Sequence, residues 1–98
     1  MSSYRYSSDA NADIDEIALY ILNLNPVAAN HFLDALEKTC DLLAAHPGIG
    51  RLRPEFGEGV RSFSVGNYLV FYTAAKDGID VARVIYGGRD LPGAFVRC

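Results

Sequence analysis

Residues 60–86 read VRSFSVGNYLVFYTAAKDGIDVARVIY, and this stretch decides the fold. It holds three runs rich in Val, Ile, Phe and Tyr, over residues 60–65, 68–73 and 79–86, a composition typical of β-strands. Gly66-Asn67 and a turn containing Asp77-Gly78 separate the runs, and both are strong hairpin signals because their residues tolerate positive φ. The stretch therefore predicts a three-stranded antiparallel meander.

The middle predicted strand is apolar on both faces. Tyr68, Val70 and Tyr72 point to one side of the strand and alternate with Leu69 and Phe71 on the other. A single layer of helices covers only one face of a small antiparallel sheet. The second face is therefore expected to meet either the chain's own C-terminal tail around Arg97 or a partner protein.

Upstream of the meander, a short strand candidate precedes a helix. Residues 4–6 read YRY, and Ser7, Ser8 or Asp9 is suited to cap a helix that runs to about Leu24. Its apolar residues recur at spacings of three and four, which predicts one core-facing stripe. The stripe consists of Ile14, Ile17, Ala18, Ile21 and Leu24.

A second helix is predicted immediately after the first. Asn25 is expected to be its N-cap, with Pro26 in the first turn, and Pro47-Gly48 to end it after His46. Its predicted stripe is Ala29, Phe32, Leu33, Leu36, Cys40 and Leu43. A connection this short predicts an antiparallel helical hairpin. The fold class is thus α+β, with an N-terminal strand, the hairpin, and a meander that completes one sheet.

Composition limits the functional classes. The 98 residues fit a single domain over residues 1–98, and half of them are hydrophobic, which suffices for one core. We see no signal peptide or membrane span and expect a cytoplasmic protein. The two cysteines, Cys40 on a helical stripe and Cys98 at the end, do not suggest a disulfide framework or a metal site.

Charge and histidine placement argue against several activities. Residues 1–50 carry a net charge of −5 and residues 51–98 a net charge of +2, so direct nucleic-acid binding is not expected. His31 is predicted to face solvent and His46 to lie at a helix C-terminus, so neither suits a general base. No phosphate-binding loop or metal-binding motif occurs, and no cofactor is expected.

The arginines are the remaining candidates for function. Strand alternation places Arg61 with Phe63 and Val65, and Arg83 with Ile79, Val81 and Ile85. A guanidinium on an apolar strand face requires a carboxylate, an exposed end or a ligand. Two interpretations follow: an internal ion pair, for example to Glu55 or Asp90, or a surface that binds an acidic or phosphate-bearing partner.

Several segments together resemble the ParE branch of the ParE/RelE toxins. They are Pro47-x-x-Gly50-Arg51, residues 59–68 (GVRSFSVGNY), Phe71-Tyr72, Arg83-Val84 and Gly87-x-Arg89-Asp90. The similarity extends from Tyr4 to about Val96, and it implies the RelE-like fold, which is the architecture predicted above. It also implies a type II toxin held inactive by a ParD-type antitoxin, whose amphipathic C-terminal helix binds against the toxin's helices.

The resemblance leaves more than one function open. ParE-like toxins bind DNA gyrase without chemistry of their own, whereas RelE-like toxins cut messenger RNA on the ribosome, commonly with a C-terminal tyrosine. At the corresponding position, six residues after Arg89, this chain has Phe95, which cannot exchange a proton. We therefore expect a non-enzymatic gyrase inhibitor rather than a ribosome-dependent nuclease. A non-toxic relative that only binds antitoxin is the third alternative.

Two sets of site residues follow from these expectations. The target-binding candidates are Arg51, Arg61, Arg83, Arg89 and Phe95. The antitoxin-binding candidates, on the helical stripes and the sheet, are Ile17, Ile21, Leu24, Phe32, Leu36, Tyr68 and Tyr72.

Overall fold

A computed structural model describes residues 3–87 as one sheet with two helices packed on one face. The predicted Arg89, Phe95 and Cys98 lie outside the described residues. The elements are β1 (Ser3–Tyr6), α1 (Ser8–Leu24), α2 (Pro26–Ala45), β2 (Arg51–Leu52), β3 (Arg61–Val65), β4 (Tyr68–Ala75) and β5 (Gly78–Tyr86). Short 3-10 turns at Pro47–Ile49 and Pro54–Phe56 flank β2. The predicted α+β architecture is confirmed, with the two-residue β2 as an addition.

The sheet has five strands in the order β1-β5-β4-β3-β2. The meander of β3, β4 and β5 is antiparallel, as predicted, and β1 joins the far side of β5 in parallel. Gly66 supplies the positive φ of the first hairpin, at 59°. Because β1 pairs only with Gly78–Val81, the rest of β5 has β4 on one side and, among residues 3–87, no strand on the β1 side.

The helical hairpin forms as its sequence signals predict. The Ser7 side chain caps α1 by accepting from the Ala10 amide, and Asn25 caps α2 by accepting from the Val27 and Ala28 amides. Asn25 also ends α1, because its own amide donates to the Ile21 carbonyl. One asparagine therefore closes both helices, which makes the turn between them as short as a single residue.

The main core lies between the helices and the sheet. Ile14 of α1 and the buried α2 residues Phe32, Leu36, Cys40 and Leu43 occupy it with Val70, Tyr72 and Val81 from the strands. Three stripe residues depart from the prediction: Leu24 and Leu33 are exposed, and Ala18 lines a groove on the outer side of the hairpin. These positions lie at the hairpin tip or its outer side, beyond the reach of the sheet.

The opposite face of the sheet is covered in part by the chain itself. Phe71 and Ile85 are buried there, and Phe56, Val60 and Leu69 pack against them. The rings of Phe56 and Phe71 meet edge to face with centroids 5.2 Å apart. The sequence had suggested the C-terminal tail or a partner as the cover, and the loop between β2 and β3 was not foreseen.

Cys40 is a core residue, as predicted, and its thiol accepts a hydrogen bond from the Tyr6 hydroxyl at 3.7 Å. Burial raises the pKa of Cys40, and burial followed by the bond to Cys40 raises the pKa of Tyr6 well above its usual value of 10.0. The folded protein therefore holds both protons at pH values where the unfolded chain releases them.

We expect the free energy of unfolding to fall at alkaline pH for this reason. Below the pKa values of the unfolded chain, both states hold these protons and the free energy of unfolding is unaffected. As the pH rises above about 9, the free energy of unfolding falls by about 1.4 kcal/mol per pH unit for each group that titrates only in the unfolded chain. Urea unfolding between pH 7 and 10.5 would measure it. Tyr6→Phe should flatten the curve, and an unchanged pH profile in that variant would contradict this origin.

Candidate functional site

The helix side of the sheet near β2 holds a network built around Tyr72. Its hydroxyl donates to the Pro47 carbonyl at 2.7 Å and accepts from the Gly50 amide at 2.9 Å. A Cβ on Gly50 would overlap the Tyr72 ring, so glycine is required there. Burial raises the pKa of Tyr72. The network fastens the segment that follows α2 to the middle strand.

Arg61 completes this network. It lies on the same side as Phe63 and Val65, as strand alternation predicted. Its Nη1 donates to the carbonyl oxygens of Gly48 at 3.2 Å and Gly50 at 2.8 Å. Among the described residues, backbone carbonyls rather than Glu55 therefore stabilise this guanidinium, and Asp90 lies outside the described residues.

Removing the Tyr72 hydroxyl should destabilise the fold without changing its shape. Tyr72→Phe leaves the Gly50 amide and the Pro47 carbonyl without their shared partner, so we expect a loss of about 2 kcal/mol in the free energy of unfolding. Guanidinium unfolding followed by circular dichroism would measure it. Tyr86→Phe, at a half-exposed ring, should stay within about 0.5 kcal/mol of the parent; equal losses in both variants would refute the role of the network.

Arg83 is held by an ion pair that the sequence did not identify. Its Nε lies 2.6 Å from Asp13 Oδ2, and its Nη2 lies 2.9 Å from Asp13 Oδ1. The two side chains are only 15% and 17% exposed, and the bond to Asp13 is the main reason that the pKa of Arg83 is raised. The ion-pair interpretation holds for Arg83, and its partner among the described residues is Asp13 rather than Glu55.

A β-bulge explains why the predicted neighbours of Arg83 are wrong. Phe71 pairs with Arg83 but Tyr72 pairs with Val81, so Ala82 is an extra residue in β5. Ile79 and Val81 consequently belong to the helix-side core, whereas Ile85 belongs to the cluster on the opposite face. Strict alternation had placed all three on one face with Arg83.

Arg51 differs from both of these arginines. It is exposed on β2, at the opposite edge of the sheet from β1, and pairs with Ser62 of β3. The neighbouring Arg53 instead donates from Nε to Ser62 Oγ at 2.9 Å and lies within 3.5 Å of Glu55. Target binding by Arg51, Arg61 and Arg83 stays a prediction, as it does for Arg89 and Phe95.

The predicted antitoxin-binding residues separate into buried and accessible groups. Phe32, Leu36 and Tyr72 are core residues, because each is less than 9% exposed. Ile17, Ile21 and Tyr68 are half-buried, and Leu24 is exposed. The stripe that packs on the sheet was also expected to contact the partner, and antitoxin binding by these seven residues stays a prediction.

The structure reveals a different apolar surface, which we call the outer groove. It runs between the outer sides of α1 and α2, and its cavity of about 460 Å³ is lined by Asp15, Ala18, Leu19, Leu22, Ala29, Asn30 and Leu33. Leu19, Leu22 and Leu33 are 60%, 48% and 39% exposed. Leu19 and Leu22 interrupt the polar face of α1, which is the sequence signal that could have found the groove.

A second depression, which we call the edge groove, lies on the other side of α1. Its cavity of about 600 Å³ is lined by α1, by Asn67 and Tyr68, and by residues 84–86 of β5. His31 and His46 are exposed and belong to neither groove. Within residues 3–87, no helix is long and apolar enough to cross a membrane.

Comparison with solved structures identifies the fold first. A chain from the chromosomal ParDE TA system of P. aeruginosa superposes with a TM-score of 0.71 at 21% identity, covering 88% of this chain and 96% of that one. The similarity in structure establishes the fold: two helices on a five-stranded sheet, the RelE-like α+β fold.

Sequence comparison then identifies the family. Residues 4–91 match the family described as ParE toxin of type II toxin-antitoxin system, parDE. Toxin ParE1 of Mycobacterium tuberculosis is 35% identical over 92% of this chain and 94% of its own length. Toxin ParE1 of Caulobacter vibrioides is 31% identical over 88% and 90%, and Toxin RelE3 of the same organism is 27% identical over 86% and 92%. The chain therefore belongs to the ParE toxin family of type II toxin–antitoxin systems.

Proposed function

We propose that this toxin inhibits DNA gyrase by binding it, without bond-breaking chemistry of its own, and that a ParD-type antitoxin neutralises it. The observation that carries the proposal is the way the described arginines are used. Arg61 and Arg83, which strand alternation had marked as candidate phosphate-binding cations, hold parts of the fold together. Because these two guanidinium groups bind other parts of the chain, they are not available for an RNA phosphate, which favours a protein-binding surface over an RNA-cleaving site.

Two features of the sequence support the same choice. Phe95 has no proton to exchange, although RelE-like nucleases commonly carry a tyrosine at that position. The sequence pI of about 5.2 also suits a protein partner better than RNA. The proposal places the protein in the bacterial cytoplasm, where gyrase acts, and assigns the exposed Arg51, with Arg89 and Phe95, to the target surface.

The outer groove is our candidate for the antitoxin. It is a long apolar depression between two helices, which suits the apolar face of an amphipathic helix. Exposed apolar side chains on a small soluble domain commonly mark such interfaces. Leu19, Leu22 and Leu33 supply the apolar contacts, and Asp15 at the rim favours a basic residue on the partner.

A paired assay tests the proposed target. The purified chain should inhibit DNA supercoiling by gyrase and should leave messenger RNA intact in a translating extract. Arg51→Glu should weaken inhibition by at least about tenfold, because it reverses an exposed charge at the proposed surface. Lys76→Glu, at an exposed turn between β4 and β5, is the matched control and should act like the parent.

Messenger RNA cleavage is the second candidate function, and the similarity to Toxin RelE3 favours it. Cleavage in the extract with gyrase unaffected would establish the nuclease and refute gyrase inhibition. Normal growth after induction without antitoxin would instead identify a non-toxic antitoxin-binding relative.

Growth rescue tests the antitoxin surface separately. Leu19→Ala combined with Leu22→Ala should leave the toxin active but reduce its neutralisation by co-expressed antitoxin, since both side chains line the outer groove. Leu42→Ala removes an exposed leucine of α2 that lies outside this groove and should remain fully neutralised. Equal rescue of all variants would show that the antitoxin binds another surface of the toxin.

A further inference from the structure

Among residues 3–87, the last part of β5 has no strand on its β1 side. The Ser7 hydroxyl donates to the Ala82 carbonyl at 2.8 Å, and the Val84 amide donates to Asp13 Oδ2 at 3.1 Å. In contrast, the Gly87 amide donates in the other direction, to the Asn67 carbonyl beyond the end of β4. Backbone groups alternate in direction along a strand. The Val84 carbonyl and the Tyr86 amide therefore point into the edge groove, where no described strand pairs with them.

Three tyrosines gather beside this edge. The rings of Tyr68 and Tyr86 lie nearly perpendicular, with centroids 5.7 Å apart. Tyr20 of α1 lines the same groove, and burial, together with the nearby Tyr20 and Tyr86 hydroxyls, raises the pKa of Tyr68. Tyr20 is 63% and Tyr86 50% exposed, so a ligand can reach their ring faces. Such clusters attract cations through the negative potential of the rings.

The charged residues that line the groove, among those described, are both acidic. Helix α1 carries Asp9, Asp13, Asp15 and Glu16 and no lysine or arginine. Asp13 is neutralised by Arg83, while Glu16 lines the groove beside the tyrosines. A carboxylate next to aromatic rings is suited to a guanidinium or an ammonium group.

We propose that the edge groove binds an extended segment of a protein partner that carries one arginine or lysine. The segment pairs with β5 through the Val84 carbonyl and the Tyr86 amide, and its basic side chain lies among Tyr20, Tyr68 and Tyr86 beside Glu16. This is strand addition at a sheet edge that no described strand occupies. Specificity comes from the basic side chain that lies among the three tyrosines. The surface is separate from the outer groove, so its test does not depend on where the antitoxin helix binds.

Two blocked peptides test the site on the full chain. The first has the sequence Thr-Val-Arg-Val-Thr, and the second has citrulline, which is neutral and nearly isosteric, in place of arginine. Nuclear magnetic resonance titration should show the arginine peptide shifting the Tyr86 amide and the rings of the three tyrosines. The citrulline peptide should bind about fivefold to tenfold more weakly, because it loses the cation–π and carboxylate interactions.

Neighbouring residues of α1 provide matched controls. Glu16→Gln and Tyr20→Ala alter the edge groove, and each should lower the affinity for the arginine peptide by about fivefold. Asp15→Asn and Leu19→Ala make equivalent changes in the outer groove and should have no effect. All four positions are exposed, so the variants should fold, which thermal melting would verify.

Several outcomes would overturn the proposal. They are equal affinity for the two peptides, shifts centred on the outer groove, and no binding of the arginine peptide at millimolar concentration. Shifts at Tyr86 on raising the concentration of the toxin alone would assign the edge to a second copy of the chain instead.

Discussion

Asp13→Ala should lower the free energy of unfolding by about 3 to 5 kcal/mol, because it removes the carboxylate that binds a largely buried guanidinium. The carboxylate makes two bonds to Arg83, of 2.6 and 2.9 Å, and a third to the Val84 amide at 3.1 Å. All three connect α1 to β5 across 70 or 71 residues of sequence. Against a total stability of about 5 to 15 kcal/mol for a small domain, this loss is a large fraction of the free energy of unfolding.

Comparison among variants would separate charge from packing. Asp15→Ala, an exposed carboxylate on the same helix, should change stability by less than about 0.5 kcal/mol. Asp13→Ala combined with Arg83→Met should recover part of the loss, because it also removes the charge that Asp13 binds and retains an apolar stem. Guanidinium unfolding followed by circular dichroism would measure all three. If the Asp13→Ala single variant were as stable as the parent, the Arg83 guanidinium would have to be solvated by water, and the predicted role of the ion pair would be refuted.

This ion pair also affects how toxicity data should be interpreted. An Arg83→Ala variant with lost toxicity does not by itself place Arg83 on the target surface, since the same change removes the tie between α1 and β5. Thermal melting must accompany the growth assay. Arg51→Glu is the cleaner probe of target binding, because Arg51 is exposed on β2.

Local signals in the sequence predicted the elements of the fold. Asn25-Pro26 marks the junction of the helices because one side chain caps α2 while the proline occupies its first turn. Gly66-Asn67 marks a hairpin because Gly66 adopts a φ of 59°. Each signal acts within about four residues and therefore needs no knowledge of the rest of the chain.

The sequence failed where distant residues decide the outcome. The partner of Arg83 lies in α1, and the Ala82 bulge changes the face on which later β5 residues lie, so alternation alone gave the wrong neighbours. The short β2 and the 3-10 turn at Pro54–Phe56 have too few residues for any period to be recognised. The outer groove needs two helices in contact before its shape exists.

The largest effect is expected for Gly78→Ala, at the first residue of β5. Gly78 pairs with Ser3 of β1, and its φ is 155°. A Cβ at this position would overlap the carbonyl and amide of Ser3, which are backbone atoms that no side-chain rotation can move. Both the strained φ and the clash would therefore expel β1 from the sheet, and we expect a loss of at least about 4 kcal/mol.

Substitutions at two other glycines show whether the clash with Ser3 or the unfavourable φ accounts for the loss of stability in Gly78→Ala. Gly66→Ala places a side chain at a φ of 59° in open space and should cost about 1 kcal/mol. Gly48→Ala meets no atoms within 4 Å and has no positive φ, so it should be neutral or slightly stabilising. Chemical unfolding, with amide exchange of residues 4–6 to detect release of β1, would rank the three variants. The contrary result is that Gly78→Ala lowers the free energy of unfolding no more than Gly66→Ala does, with the amides of residues 4–6 still protected from exchange. That result would refute the close approach of β1 to β5, and with it the edge inferred for the rest of β5.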